Sequence, residues 1–186
     1  VKRMFAERAH PDNPVFNGTK YEDRLLARYL FANKYCIDKT VLDIPCGMGW
    51  GTSLLSGYRG CLGMDISSEA IEEAKNRYNI DNLIFKQGDM TAFYEGKFDT
   101  IICLEGFEHI TFLQGQAFVN CAKLSMKKES TLILSTPILI DRKHSGNQHH
   151  LCEYDYDELV SMLQSHFDII EEETLGNIKI FALRLK

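Results

Sequence analysis

Short apolar runs alternate along this chain with segments in which apolar residues recur at helical spacing. Such runs are typical of buried parallel strands, and the segments between them are typical of helices that cover both faces of a sheet. The predicted strands are 40–44, 61–65, 83–86, 98–104, 131–135, 167–174 and 178–185. The Gly176-Asn177 pair separates the last two strands and predicts an antiparallel hairpin.

The predicted helices occupy the intervals between these strands. They cover 21–35, a short stretch near 52–57, a segment after Ser67, residues near 113–126 and a segment opened by Asp155. On the first helix, the expected buried stripe contains Leu25, Leu26, Tyr29 and Leu30. Ser67 is the expected N-cap of its helix, and Asp155 with Glu158 resembles a capping box.

Length and composition favour one α/β domain over the whole of 1–186, because 186 residues with 45% hydrophobic content can bury a single core. Residues 1–39 are predicted to form an N-terminal helical cap, and 137–154 to form a polar insert. No apolar stretch is long enough to span a bilayer, and the N-terminus lacks the apolar core of a signal peptide. We therefore expect a soluble, cytoplasmic protein.

Cysteines and charge limit the classes of partner. The six cysteines form no C-x-x-C pair, so neither a zinc site nor a disulfide framework is expected. The net charge of −5 and the absence of a basic stripe argue against nucleic acid as a substrate.

A glycine-rich loop, VLDIPCGMGWG, directly follows the first strand. Glycines at 47, 49 and 51 let a ligand approach the backbone, but Thr52 stands where a dinucleotide fingerprint requires a further glycine. Asp43 lies inside the strand, where a carboxylate needs a cation or hydrogen-bond donors. A ligand ammonium would serve; the alternative is that Asp43 caps local backbone amides and the glycines only form a tight turn.

Two more carboxylates follow the next two strands. Asp65 ends the second strand, about 20 residues after the loop, where an acidic side chain can bind two ribose hydroxyls. Asp89 and Met90 follow the third strand and offer the polar edge and apolar face that an adenine ring requires. Three acids at successive strand ends favour a nucleoside-binding rim.

Four segments, VLDIPCGMGWG, GMDIS, FKQGDM and FDTIICLEGFEHI, resemble the successive motifs of class I S-adenosylmethionine-dependent methyltransferases. The resemblance covers 41–110 and implies a Rossmann-like, doubly wound, seven-stranded sheet of order 3-2-1-4-5-7-6 with the last strand antiparallel. It also implies S-adenosylmethionine as cofactor and S-adenosylhomocysteine as product. The cofactor-binding residues it implies are Asp43, Pro45, Cys46, Gly47, Gly49, Asp65, Ile66, Gly88, Asp89, Met90 and Leu104. Pro45 and Cys46 depart from the residues more common in that loop.

A closer resemblance begins upstream, in RLLARYLFANKYCIDKTVLDIPCGMGWGTSLL. This segment is similar to methyltransferase type 11 enzymes and to the methyltransferase portions of enzymes that modify bacterial surface polysaccharides and sugar precursors. The likeness implies that Tyr21 or Arg28 meets the methionine carboxylate of the cofactor. The alternative is a solvated arginine on an amphipathic helix.

The fourth strand ends in LEGFEH, which resembles the E-x-x-E-H ending found near the transferred methyl group in this family. His109 is the candidate general base for a hydroxyl acceptor, and Glu108 would orient it or bind the acceptor. Glu105 is a candidate acceptor contact. The alternative is that His109 only caps the following segment. No Asn-Pro-Pro-Tyr type sequence follows the strand, which favours an oxygen acceptor over exocyclic or amide nitrogen.

The polar insert DRKHSGNQHHLCEY follows the fifth strand, where the family builds its acceptor site. Its candidate acceptor-binding residues are Arg142, His144, His149, His150 and Tyr154. Planar donors and aromatic faces suit sugars or phosphates. No carboxylate or cysteine completes a recognisable ligand spacing with these histidines, so no metal is predicted.

The sequence thus predicts a methyltransferase that O-methylates a sugar, glycan-linked or phosphorylated small acceptor, in polysaccharide biosynthesis. One alternative is a small-molecule methyltransferase of the quinone or natural-product type. Another is a cofactor-binding module without turnover, because a fold and a binding loop do not fix the reaction. The oligomeric state is not predicted.

Overall fold

The structure is a computed structural model that describes Asp12 and residues 18–141 and 143–186. The helices are α1 (Lys20–Asn33), α2 (Ser68–Arg77), α3 (Phe112–Ser125) and α4 (Tyr156–Gln164). The strands are β1 (Thr40–Asp43), β2 (Gly60–Asp65), β3 (Leu83–Gln87), β4 (Phe98–Leu104), β5 (Met126–Pro137), β6 (Phe167–Leu175) and β7 (Ile178–Leu185). Two 3₁₀ turns cover Thr52–Leu54 and Phe107–His109.

The strands form one seven-stranded sheet in the order β3-β2-β1-β4-β5-β7-β6. β7 runs antiparallel to both of its neighbours, β5 and β6. The predicted α/β class, the strand order and the antiparallel last strand are therefore confirmed. Among the described residues, no helix is both long enough and apolar enough to cross a membrane.

The first of two compact units covers residues 1–90. β1 pairs in parallel with β2, and β2 with β3, so the carboxyl ends of all three strands lie at one edge. Ser67 caps α2 by accepting a hydrogen bond from the Ala70 amide, as predicted. α2 then buries Ala70, Ile71 and Ala74 at helical spacing.

The buried stripe of α1 differs from the predicted one. Leu25 and Tyr29 are buried as expected, but Leu30 is 62% exposed. The spacing from Leu25 and Tyr29 instead brings Arg28 and Ala32 inside, and both are completely buried. An apolarity pattern assigns arginine to the outer face, so it could not identify a helix that buries a guanidinium.

The second unit covers residues 91–186. β5 pairs in parallel with β4 and antiparallel with β7, and β6 completes the hairpin. β5 begins at Met126, five residues before its predicted start. The Asp155 side chain caps α4 by accepting a hydrogen bond from the Asp157 amide. A reciprocal capping box is found at the start of α3 instead, between Thr111 and Gln114.

An aromatic cluster fills the second unit beside α3. The Phe107 ring packs edge-on against Phe118 and stacks on Tyr154, with centroids 5.8 and 5.2 Å apart respectively. Gly115 lies in the first turn of α3, and a Cβ atom there would stand 2.8 Å from the Tyr154 hydroxyl and 3.0 Å from the Phe107 ring. The missing side chain is therefore what lets these rings approach the helix.

We expect Gly115→Ala to destabilise the protein even though alanine favours helix by about 1 kcal/mol. The added methyl group overpacks a cluster of rings that has no room for it, at a typical cost of about 1–3 kcal/mol. Chemical denaturation measures the free energy of unfolding. Gln116→Ala, at the exposed neighbouring position, is the matched control and should be close to neutral. A Gly115→Ala variant more stable than wild type would contradict the packing described.

Candidate functional site

Asp43 is a completely buried carboxylate at the end of β1. Its Oδ2 atom accepts hydrogen bonds from the Tyr29 hydroxyl at 3.1 Å and from the Thr52 hydroxyl at 2.6 Å. Within the described part of the chain, Oδ1 has no hydrogen-bond partner. One oxygen of Asp43 is thus satisfied by two side-chain hydroxyls rather than by the local backbone amides that the sequence suggested, and the other has no donor among the described residues.

Burial raises the pKa of Asp43 from its ordinary value of 3.8 to about 7. The hydrogen bonds from Thr52 and Tyr29 act in the opposite direction, and the negative charge of Asp65 adds to the rise. Asp43 therefore titrates near neutral pH, and a cationic group beside it would favour its ionised form.

The glycine-rich loop after β1 contains glycines with two different functions. Gly47 has a φ of +56° and nothing within 4 Å of where its Cβ would be, so its backbone borders open space. A Cβ at Gly49 would stand 2.8 Å from the Phe85 ring, and one at Gly51 would overlap the Tyr29 ring at 1.9 Å. Close packing thus requires Gly49 and Gly51, while Gly47 leaves room for a ligand.

Pro45 and Cys46 begin that loop. Pro45 follows a cis peptide bond from Ile44 and is half-buried. Cys46 is buried, and its amide donates to the Met64 carbonyl of β2 at 2.8 Å. Of these two residues, Cys46 connects the loop to β2 through its backbone.

Asp65 joins the glycine-rich loop to the start of α2. Its Oδ2 accepts from the Gly47 amide and its Oδ1 from the Ser67 amide, both at 2.9 Å. Ile66 follows with 64% of its surface exposed. After β3, Gly88 and Asp89 are half-buried and Met90 is buried. A Cβ at Gly88 would stand 2.0 Å from the terminal methyl group of Met64, so a side chain at this position would require the Met64 side chain to move.

Three further residues predicted to bind the cofactor lie on α1 and β4. Arg28 is completely buried on α1, and its charge lowers the pKa of the neighbouring Tyr29, although burial is the larger effect and raises it. Tyr21, the second residue of the same helix, is 40% exposed. Leu104 is buried at the end of β4, in the second unit.

Two hydroxyl side chains at the end of β5 bind the two carboxylates that follow β4. The Ser135 hydroxyl donates to Glu105 Oε1 at 3.1 Å, and the Thr136 hydroxyl donates to Glu108 Oε2 at 3.3 Å. Glu105 has a φ of +53°, a backbone conformation that is uncommon outside glycine and is often found at functional sites. Glu108 is almost completely buried.

His109 lies beside the polar insert. Its Nδ1 atom is 3.0 Å from the His149 carbonyl oxygen, so the tautomer that donates there carries its proton on Nδ1 and leaves Nε2 unprotonated. The His150 ring packs edge-on against it, with centroids 5.3 Å apart. Nδ1 of His150 lies 2.5 Å from Glu153 Oε1.

Glu153 is held as a carboxylate under this pair of imidazoles. Burial alone would raise its pKa, but hydrogen bonds from the Ser145 hydroxyl and amide and from His150 outweigh burial and lower the pKa. An ionised Glu153 therefore fixes the orientation of the His150 ring.

The other predicted acceptor-binding residues have different environments. His144 and His149 are exposed on the insert, whereas Tyr154 is 2% exposed and stacks on Phe107 in the core. Burial also raises the pKa of Tyr154 far above its ordinary value. Arg142 lies outside the described residues. The histidines of the insert thus present polar groups at the surface, and Tyr154 does not.

Sequence reasoning missed Tyr29, Thr52, Ser135, Thr136 and Glu153. Each acts by orienting a predicted site residue, through the hydrogen bonds given above. The hydroxyl pair Ser135-Thr136 directly follows the apolar run 132–134, which is a signal that could have identified it.

The strand order, the glycine-rich loop and the acids after successive parallel strands define the class I methyltransferase fold. A family model described as "Methyltransferase domain" matches residues 41–128. This part of the chain is therefore similar to that family of methyltransferase domains.

Solved structures resemble the whole chain. The N-methyltransferase NodS from Bradyrhizobium japonicum, in complex with S-adenosyl-L-homocysteine, aligns with a TM-score of 0.80, covering 99% of this chain and 97% of its own at 14% identity. The PH0226 protein from Pyrococcus horikoshii aligns with a TM-score of 0.77, covering 96% and 97% at 20% identity. At these identities the likeness establishes the fold alone.

Two curated relatives are ubiquinone biosynthesis O-methyltransferases. The protein from Thiobacillus denitrificans is 27% identical over 115 residues, which cover 57% of this chain and 50% of the relative. The protein from Paraburkholderia phytofirmans is 25% identical over 143 residues, covering 72% and 61%. The matched regions thus span between half and three fifths of the relatives' length.

The raised pKa of Asp43 predicts a pH dependence of stability for the protein without ligands. Between about pH 4 and pH 7 the folded state retains a proton on Asp43 that the unfolded chain releases. The contribution of Asp43 to the free energy of unfolding therefore falls as pH rises. Relative to Asp43→Asn, the wild type should lose free energy of unfolding across that window, by at most about 1.4 kcal/mol per pH unit.

Denaturation curves at several pH values measure the difference between the two proteins. Asp81→Asn, at an exposed position, controls for loss of a charge elsewhere in the same unit. The raised pKa would be contradicted if the difference in free energy of unfolding between wild type and Asp43→Asn stayed constant, or grew in favour of wild type, as pH rises.

Proposed function

We propose that this chain is an S-adenosylmethionine-dependent O-methyltransferase that acts on a hydroxyl group of a small acceptor. The observation that carries the proposal is the arrangement after β1: a buried carboxylate with an oxygen that no described residue satisfies, beside a glycine that borders open space. The match of 41–128 to a methyltransferase domain supports the reaction class.

The residues of the first unit fit the parts of the cofactor. The Oδ1 atom of Asp43 offers an acceptor for the methionine ammonium, and Gly47 leaves room for the ligand beside the loop. The Asp65 carboxylate, held by two amides, retains lone pairs for ribose hydroxyls, and Ile66 with Met90 supplies apolar surface for adenine. Arg28 or Tyr21 would bind the methionine carboxylate. When bound, the cofactor supplies an electrophilic methyl group on sulfonium sulfur.

The second unit offers the groups that act on the acceptor. Hydrogen bonding of Nδ1 to the His149 carbonyl leaves Nε2 of His109 able to receive the hydroxyl proton. Glu108 and Glu105, each held by a hydroxyl of β5, would bind and position the acceptor. Methyl transfer is an in-line displacement, so correct positioning supplies much of the acceleration.

For the acceptor class we favour a sugar, a glycan-linked sugar or a phosphorylated small molecule. The exposed histidines His144 and His149 and the Ser145-Gly146 segment make the insert polar. A phenolic or quinone-type acceptor is the second candidate, because the curated relatives are O-methyltransferases of ubiquinone biosynthesis. Polysaccharide biosynthesis and a cytoplasmic location are the biological setting we propose.

We expect S-adenosylhomocysteine to bind the isolated protein and Asp65→Ala to weaken this binding by about 1.5–3 kcal/mol, the range for hydrogen bonds to a charged group. Because Asp65 also holds the Gly47 and Ser67 amides, its loss should lower the unfolding midpoint as well. Ile66→Asp, on an exposed side chain, should weaken binding without that loss of stability.

Isothermal titration calorimetry measures these affinities, with Asp81→Ala as the matched control in an exposed position. The proposal would be wrong if the folded wild type bound NAD but neither S-adenosylmethionine nor its product. Equal affinities in wild type, Asp65→Ala and Ile66→Asp would place the ligand elsewhere.

We expect His109→Ala to lower turnover about 100-fold or more while leaving cofactor affinity nearly unchanged, because the side chain acts on the acceptor. Formation of S-adenosylhomocysteine with a panel of sugar and phenolic acceptors measures turnover and selects between the two acceptor classes. His166→Ala, near the end of α4, is the control for loss of an imidazole. Full activity of His109→Ala would remove the residue from the mechanism. If no acceptor raised the formation of S-adenosylhomocysteine above its rate without acceptor, the result would support a binding module without turnover.

A further inference from the structure

Three side chains in the second unit bring potential metal ligands together. Glu108, His109 and His150 each offer a ligand atom, and these atoms all lie within 4.8 Å of one another. Glu108 is buried, and both histidines are half-buried. In a tetrahedral site with bonds of about 2.0–2.1 Å, neighbouring ligand atoms are about 3.4 Å apart. Small side-chain rotations are therefore enough to close the group around an ion.

The hydrogen bonds around the two imidazoles point independently to a ligand. His109 has its Nδ1 against the His149 carbonyl, and His150 has its Nδ1 against the Glu153 carboxylate. In metal sites a ligating histidine characteristically binds a carbonyl or carboxylate through one ring nitrogen and the ion through the other. Both rings thus have the outer contacts of metal ligands, and Nε2 is the ring nitrogen that remains to bind an ion.

The third side chain is held in a similar way. Glu108 Oε2 accepts a hydrogen bond from the Thr136 hydroxyl, and the Glu108 carbonyl oxygen accepts from the Leu151 amide at 2.8 Å and the Cys152 amide at 3.1 Å. The backbone contacts attach the insert to the turn after β4. The outer contacts therefore fix the two segments that carry the three ligands.

We propose that Glu108, His109 and His150 form a binding site for a divalent transition-metal ion, for which Zn²⁺ is the best match. Two imidazoles and one carboxylate are a ligand set that binds Zn²⁺ and leaves a position open, and imidazole favours transition metals over Mg²⁺ or Ca²⁺. The sequence could not indicate this group, because one ligand lies 41 residues beyond its neighbour in the chain.

An ion at this site would take the place of His109 as the group that activates the acceptor hydroxyl in the proposed O-methylation. It would bind the acceptor hydroxyl at its open position and lower the pKa of that hydroxyl, so that the proton leaves to solvent while oxygen displaces sulfur at the methyl carbon. His109 would then be a ligand, and its replacement would still reduce turnover. Metal binding itself does not depend on the proposed methyl transfer and is tested without cofactor or acceptor.

Calorimetric titration of chelator-treated, dialysed protein with ZnCl₂ tests the site. We expect one ion per chain by elemental analysis, and an affinity at least about 100-fold lower in His150→Ala, a larger loss than the 10–100-fold typical of removing an outer contact. Glu153→Gln should lower the affinity for Zn²⁺ by a factor within that smaller range. His149→Ala keeps the carbonyl that orients His109 and should bind as wild type does. Cys152→Ser excludes capture of the ion by the nearby thiol.

Two measurements keep the outcome clear. Thermal denaturation without metal establishes that His150→Ala is folded, and binding of S-adenosylhomocysteine to the same variant should equal that of wild type. Failure of wild type to bind Zn²⁺, or binding that persists in both His150→Ala and His109→Ala, would overturn the site. Failure of the wild type to bind S-adenosylhomocysteine would instead count against the methyltransferase proposal.

Discussion

The buried carboxylate of Asp43 is the constraint on which the first unit depends. Removing a carboxylate from water is costly, and the chain offsets that cost with hydroxyl donors from α1 and from the turn after the glycine-rich loop. Those donors require the Tyr29 ring to lie against the loop backbone, which in turn requires the absence of a side chain at Gly51. Helix, strand and loop are thus positioned by one acidic group, whose second oxygen faces no donor within the described residues.

The second unit repeats this principle with different groups. Hydroxyls at the end of β5 hold the two carboxylates that follow β4, and the backbone of the insert contacts the turn that carries Glu108 and His109. Each imidazole is oriented through Nδ1 by an oxygen of the insert. The reactive groups are consequently fixed by neighbours that do no chemistry themselves, which is how a functional site gains defined geometry.

The sequence predicted the fold well, because alternating buried strands, the Ser67 cap and the Gly176-Asn177 turn are local signals. It also placed acids at the carboxyl ends of β1 and β2 and just after β3, and these ends lie at one edge because the three strands are parallel. The alternative of a solvated Arg28 is wrong, because the side chain is completely buried. The sequence also did not predict the packing roles of Gly49 and Gly51. The proximity of His150 to His109 is a tertiary contact between distant segments, and no spacing rule describes it.

Transfer of a ¹³C-labelled methyl group from S-adenosylmethionine, followed by NMR, tests the central proposal most directly. With an accepted substrate, the proposal predicts a new carbon signal in the range of a methoxy group and its correlation to the carbon that carried the hydroxyl. A signal typical of a methylated nitrogen, or no transfer to any sugar or phenolic acceptor by protein that binds the cofactor, would contradict it.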